Sequence, residues 1–247
     1  MIVFILKYLF LFGTGSLFGW GLELVYRRYF GKARTWINPG FLSGPYLPLY
    51  GSGVGILFIV SDMNINFFIK IILFTFSTTT IELLTGLFFL KFYNTRLWDY
   101  TNLKFNYKGL ISPLYSLFWT ILSLLFYFVL YPYFYNQIEF LYKNLQFSLF
   151  VGIFYGVIIV DLINSFNILN RIKELSDAIE DSHFIIQYEQ FKDEIKYKFE
   201  GIKSKTRKPR FLLPFKGEYD LVEQVKEHIE NLKEESKKKI EKLTKLQ

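Results

Sequence analysis

Residues 38–53 read Asn-Pro-Gly-Phe-Leu-Ser-Gly-Pro-Tyr-Leu-Pro-Leu-Tyr-Gly-Ser-Gly and lead from a basic loop into an apolar segment. Four glycines and three prolines stand where a membrane helix should begin. Irregular backbone at membrane depth is stable only where protein or a water-filled cavity surrounds it. Because broken helices often line substrate sites in membrane proteins, we expect this stretch to border a binding site.

Apolar segments on both sides of the break indicate a protein that crosses a lipid bilayer several times. A transmembrane helix needs roughly 17–25 mostly apolar residues. Candidate spans cover residues 2–26, 45–60, 66–90, 111–131 and 145–169. The first could also be a signal peptide, but its apolar stretch is long and no Ala-x-Ala site follows. The sequence therefore predicts an all-α bundle of about five transmembrane helices.

Charge divides the chain into two unequal parts. Residues 1–169 hold 11 Lys/Arg and six Asp/Glu, whereas residues 170–247 hold 18 Lys/Arg and 16 Asp/Glu. We therefore predict a transmembrane domain over 1–169 and a charged, helical, cytoplasmic tail over 170–247. Within that tail we expect residues 219–246 to form a solvent-exposed helix. The charges of the tail nearly cancel, which argues against a nucleic-acid partner.

Basic loops predict the orientation of the bundle. Cations cluster after the first and third spans, while the loops near Asp62 and Glu139 contain only Lys143. Under the positive-inside rule, we expect a protein of the bacterial inner membrane whose N-terminus lies outside and whose tail lies in the cytoplasm. The basic residues that fix this are Arg27, Arg28, Lys32, Arg34, Lys91, Arg96, Lys104 and Lys108. A re-entrant 45–60 segment would conflict with these loops.

Several function classes lack the residues that they need. The chain has no cysteine, and its two histidines lie after residue 169. We therefore expect neither a metal site nor a cofactor within the membrane. No Walker A, zincin, kinase or nucleophile-elbow pattern is present, so the chain cannot hydrolyse ATP by the P-loop route alone.

Three spans carry the Gly-x-x-x-Gly pattern, which lets helices approach closely. The pairs are Gly15/Gly19, Gly51/Gly55 and Gly152/Gly156. Tight packing within one bundle explains them, and homo-oligomerisation through one of these faces is the alternative.

Three acids within the spans are candidates for chemistry, because charge inside a membrane is expensive. Glu23 lies four residues before Arg27, so the two can pair on one helix face. Glu82 lies about 13 Å from Lys91 along a helix, well inside the bilayer. Asp161 lies near the inner end of the fifth span. We expect them to contribute to a polar site open to the cytoplasm. The full set of candidate residues is Glu23, Asn38, Gly44, Pro45, Pro48, Tyr50, Glu82, Trp98, Asp99, Asn106 and Asp161.

The order of several short motifs resembles the bacterial membrane family of CmpB-type ABC-transporter permeases. The resemblance covers about residues 19–120. It rests on Gly19-Trp20, Glu23, Tyr26, the 38–51 block, Glu82 with Thr85, Trp98-Asp99-Tyr100, Asn106, Gly109, Ser116 and Trp119. It implies a permease-like subunit that works with a separate ATPase, which would contact the basic loops at 27–44 and 91–110.

A second reading of the same residues stays open. Glu23, Glu82 and Asp99 could form the site of a standalone membrane-embedded enzyme or lipid-binding protein near the headgroups, since a carboxylate there can transfer protons. No nucleophile or metal constellation accompanies them.

Overall fold

The computed structural model describes residues 2–30, 36–179, 185–194 and 224–234. Helices account for almost all of this, which confirms the all-α fold. They are α1 (Ile2–Tyr29), α2 (Pro48–Asp62), α3 (Phe67–Tyr93), α4 (Pro113–Leu125), α5 (Tyr131–Lys143) and α6 (Ser148–Ile179). A π-helical segment, Phe126–Leu130, joins α4 to α5, and a 3-10 turn, Leu145–Phe147, precedes α6. Two short strands, β1 (Thr95–Arg96) and β2 (Ile186–Gln187), pair in parallel.

Four helices are long and apolar enough to cross a membrane: Phe4–Tyr29, Phe67–Tyr93, Pro113–Lys143 and Leu145–Asp177. The second helix, α2, has 15 residues and is about 22 Å long, less than a usual span. It begins late because Pro48 stands at its first turn, a position that proline favours. A fifth crossing by α2, together with the irregular residues before it, stays a prediction.

Local sequence explains how the other helices begin and bend. The Asn66 side chain caps α3 by accepting from Phe68 N at 2.8 Å, and Ser112 caps α4. The π-helical segment ends just before Pro132. Pro132 has no N–H to donate to Phe128 O, so the regular helical bonding is interrupted there. Just before it, Tyr131 N bonds to Phe126 O, five residues back, as in a π-helix.

The bundle buries one apolar core among α1, α2, α3 and the π-helical segment. Leu11, Phe58, Phe74 and Phe126 lie at its centre. Many large apolar side chains point outward instead, with Phe76 69% exposed. An outward apolar surface suits lipid rather than water, so the exposed side chains agree with a membrane protein.

Glycines bring α1 and α2 together. A methyl group added at Gly19 would lie 2.2 Å from Tyr50 Cβ, and one at Gly51 would lie 2.5 Å from Phe12 O. Gly15 likewise faces Val54. These glycines serve packing within one bundle. Gly55, Gly152 and Gly156 would meet nothing within 4 Å, and oligomerisation through them stays a prediction.

The described part of the tail packs against the end of the bundle. Ile186, Tyr188 and Phe191 join Val225 and Ile229 in a second core. The bundle contributes Phe89, Leu97, Leu169 and Ile172 to this core. The expectation of a solvent-exposed helix over 219–246 is therefore wrong for helical residues 224–234. Their apolar residues recur at i and i+4, and that stripe is buried against α3 and α6; the rest of 219–246 lies outside the described residues.

Candidate functional site

The irregular stretch before α2 satisfies its own polar groups through Asn38. The Asn38 side chain accepts from Trp20 Nε1 at 2.6 Å and donates to Leu42 O and Ser43 O at 2.9 and 3.0 Å. Buried backbone carbonyls outside a helix need such partners. Asn38 therefore fixes the path of the break against α1.

Asp161 attaches the same stretch to α6. Its carboxylate accepts from Ser43 N at 3.0 Å, Gly44 N at 2.9 Å and the Tyr46 hydroxyl at 2.6 Å. Ser165, one turn later on α6, donates to it at 3.2 Å. This carboxylate is fully engaged by protein donors, so its geometry is that of an anchor.

Gly44 and the two prolines shape the backbone around this anchor. A methyl group at Gly44 would lie 2.3 Å from the Tyr46 ring, so glycine is required there. Pro48 opens α2, and Pro45 is exposed. These three candidates offer no polar side chain to a ligand.

A chain of charged groups begins at Glu23 on α1. Glu23 accepts from Arg27 Nε at 2.9 Å, as its spacing predicts, and from the Tyr50 hydroxyl at 2.8 Å. Arg27 also pairs with Glu189, a tail residue. The side chains of Glu23, Arg27 and Glu189 are about one-quarter exposed. The first span, α2 and the tail therefore meet in one ionic network.

Lys192 continues that network into the broken stretch. Its ammonium group donates to Asn38 O and Gly40 O, both at 2.8 Å, and lies 3.1 Å from Glu189 Oε1. Burial lowers the pKa of Lys192, and the neighbouring Glu189 opposes that effect. Sequence reasoning missed Glu189 and Lys192. The available signal was apolar Tyr188 and Phe191 at helical spacing beside two opposite charges.

Glu82 lies deeper in the bundle and is only 2% exposed. The Tyr100 hydroxyl donates to Oε1 at 3.0 Å. The other oxygen, Oε2, is buried and has no hydrogen-bond partner in the part of the chain that the structure describes. Trp119 faces the carboxylate from α4 without completing a bond to Oε2.

The loop between α3 and α4 positions Tyr100. Trp98 Nε1 donates to Leu110 O at 2.8 Å, and Asp99 accepts from Arg96 Nη1 at 3.1 Å. Asn106 accepts from Gly109 N at 2.9 Å. Burial and the nearby charge of Glu82 raise the pKa of Tyr100, which keeps it a phenol donor.

Aromatic rings extend from Tyr100 across the site. Tyr100 stacks on Tyr115 with centroids 4.1 Å apart and planes 10° apart. The Tyr115 hydroxyl lies 3.0 Å from that of Tyr26. Tyr50 packs against Trp119 at 5.1 Å. Tyr50 and Tyr115 both lie near enough to Glu82 to interact with its charge.

The structure thus separates the candidate residues into three groups. Glu23, Tyr50 and Glu82 share the polar cluster just described, and Asn38, Gly44 and Asp161 hold the broken stretch. Trp98, Asp99 and Asn106 build the loop that carries Tyr100. Asp161 bonds to the broken stretch, and the convergence of all three acids at one polar site stays a prediction.

These features define a helical membrane protein with a buried, partly satisfied carboxylate beside a broken segment. The chain belongs to the family described as "Putative ABC-transporter type IV", the CmpB type, whose model matches residues 10–166. No curated protein and no solved structure matches the chain.

Proposed function

We propose that this chain is the permease-like subunit of a transporter that works with a separate ATPase in a bacterial inner membrane. Family membership supports a transporter component. The observation that carries the proposal is Glu82, a buried carboxylate whose second oxygen has no partner among the described residues. A group so costly to bury, set behind a broken segment, is typical of a substrate path.

The loop between α3 and α4 is the surface that we propose for the ATPase. Phe105 is 89% exposed and Tyr107 is 51% exposed, and Lys104 and Lys108 beside them are exposed as well. Under the predicted topology this loop lies in the cytoplasm together with the tail. An aromatic group flanked by cations is a favourable contact for a soluble protein with an acidic groove.

Purification in mild detergent from native membranes, followed by mass spectrometry, tests the proposal. We expect an ATPase at fixed stoichiometry. Replacing Lys104, Phe105 and Lys108 together by Ser should abolish its retention. The control replaces Lys143 and Phe147 by Ser at and just beyond the far end of the Pro113–Lys143 helix, which is about 45 Å long. Absence of any ATPase, or equal loss in the control, would contradict the proposal.

A lipid-binding protein is the second candidate, and one observation favours it. An apolar groove of about 440 Å³ runs between α1 and α6. It is lined by Phe4, Ile5, Tyr8, Leu9, Phe12 and Tyr155. Its size and lining suit an acyl chain. The groove lies at the opposite end of α1 from Glu23. A lipid retained on purification, without an ATPase, would favour this candidate.

A further inference from the structure

The charges around Glu82 do not balance within the described residues. In the neighbouring network, Arg27 and Lys192 match Glu23 and Glu189 one for one. Glu82 stands apart from these pairs. No lysine or arginine of the described ranges lies within 4.0 Å of its carboxylate. A buried ionised carboxylate without a counter-charge is strongly destabilising.

A proton is one way to neutralise Glu82, and a bound cation is the other. Tyr100 donates its hydroxyl hydrogen to Oε1. Trp119, which faces the carboxylate from α4, can only donate. A protonated Glu82 would donate to the Tyr100 hydroxyl oxygen, whereas Tyr100 and Trp119 can both donate to an ionised Glu82. An ionised Oε2 instead requires a further donor, and that donor should carry positive charge.

The surroundings of Oε2 suit an organic cation. Four aromatic side chains interact with this carboxylate by hydrogen bonding or through its charge: Tyr100, Trp119, Tyr50 and Tyr115. Aromatic faces attract ammonium groups, most strongly when both are desolvated. An inorganic cation would need several oxygen ligands, and the described residues contain no cluster of three or more acids or histidines.

The interior also contains unfilled space on α2. Gly53, one turn after Tyr50, is buried, yet a methyl group built there would contact nothing within 4 Å. A glycine so placed leaves room where most buried positions are filled to contact. By contrast, Gly86, one turn after Glu82 on α3, faces Leu110 at 3.0 Å, so the bundle is closed on that side.

We propose that Glu82 binds a small protonated amine through Oε2. The N–H groups of the amine bond to Oε2, and the rings of Trp119 and Tyr100 flank its charge. As a substrate class the inference rests on the proposed transport function, whereas binding itself rests on the geometry of the site. Since Glu82 is 2% exposed, the amine enters when the loop that carries Tyr100 moves aside.

Thermal unfolding of the purified full chain in detergent tests the binding. The probe is butylammonium chloride. Butanol controls for apolar size, and sodium chloride controls for ionic strength. We expect only butylammonium to raise the unfolding midpoint. In Glu82→Gln the apparent affinity should fall by about tenfold or more, because the charge-assisted bond is lost. Asp62→Asn is the matched control, since its carboxylate lies at the other end of α2 and pairs with Tyr131.

Two results would overturn the proposal. One is an equal midpoint shift in wild type and Glu82→Gln, or no shift in wild type. The other comes from infrared spectra of the wild-type protein and does not depend on whether the variant folds. A Glu82 carboxylic-acid band that persists at saturating butylammonium shows that a proton alone neutralises the site. Both measurements use the chain alone, so failure to find an ATPase leaves them unaffected, and their failure leaves the permease proposal standing.

Discussion

Asp161 and Glu82 are both carboxylates on apolar helices, yet the protein treats them in opposite ways. Asp161 accepts from two backbone N–H groups and two hydroxyls. Glu82 accepts from one hydroxyl, and its second oxygen has no partner among the described residues. A carboxylate whose oxygens all have hydrogen-bond partners stabilises the fold. A carboxylate with an unpartnered oxygen can still accept a hydrogen bond from a ligand. Burial alone therefore does not identify a functional acid. What identifies it is whether each of its two oxygens has a hydrogen-bond donor.

Replacing each acid by its amide should give the largest difference between the two sites. Asp161→Asn replaces one accepting oxygen by an NH₂ group, which cannot accept from the N–H and O–H donors that face it. We therefore expect the free energy of unfolding to fall by about 3 kcal/mol. Glu82→Gln removes an uncompensated buried charge, so we expect a change of less than about 1 kcal/mol, or a gain. Reversible unfolding in mixed micelles measures both. A larger loss in Glu82→Gln than in Asp161→Asn would reverse the assignment of anchor and site.

Sequence reasoning identified both acids but could not rank them. The helical pairs Glu23–Arg27 and Asp161–Ser165 follow from a spacing of four, so they were accessible from the sequence. The donors to Asp161 come from residues 115–118 positions away. Only the folded chain shows that Ser43 N, Gly44 N and the Tyr46 hydroxyl donate to Asp161 and are therefore not free to bind a ligand.

The same limit explains why residues 224–234 are more buried than their charge predicts. The charge of the tail predicted a water-facing segment, but apolar side chains at single helical positions decide what is buried. Lys192, 152 residues from Gly40, contacts it through tertiary packing that no local pattern encodes. The helices themselves were predictable because length and apolarity are local properties. The shortness of α2 follows from Pro48, and the π-helical segment follows from Pro132.

The contact between Gly19 and Tyr50 tests how helix packing supports the polar cluster around Glu82. Gly19→Ala places a methyl group on Tyr50, so we expect unfolding to become easier by about 2 kcal/mol, as overpacking usually does. Tyr50 should also move away from Glu23, which weakens the butylammonium effect. Gly152→Ala is the control, because nothing lies within 4 Å of that position. Equal effects in the two variants would show that α1 and α2 do not pack through these glycines.

Lys192→Met tests whether the tail supports the broken stretch. The variant keeps most of the length of the side chain but removes two hydrogen bonds, to Asn38 O and Gly40 O, and the ion pair with Glu189. We expect a loss of about 1.5–2 kcal/mol and faster hydrogen exchange in residues 38–44, with Asp161-bound Ser43 N and Gly44 N affected least. Lys143→Met, whose side chain is 71% exposed, should change neither quantity. Unchanged exchange in Lys192→Met would show that Asn38 and Asp161 fix the break without Lys192.

The smallest effect should come from Asn106, a candidate that the structure places in the loop framework. Its side chain accepts from Gly109 N and donates to Leu103 O, at 2.9 and 2.7 Å. Gly109 adopts a φ of +70°, which strains any other residue, so the turn depends on this bond. Asn106→Ala should lower the free energy of unfolding by about 1 kcal/mol and leave butylammonium affinity unchanged, because the Tyr100 backbone is also held by its own bond to Gly109 O at 2.9 Å. Calorimetry of the variant with and without butylammonium separates the two quantities. A large loss of affinity at unchanged stability would place Asn106 in contact with the ligand and enlarge the site beyond Glu82.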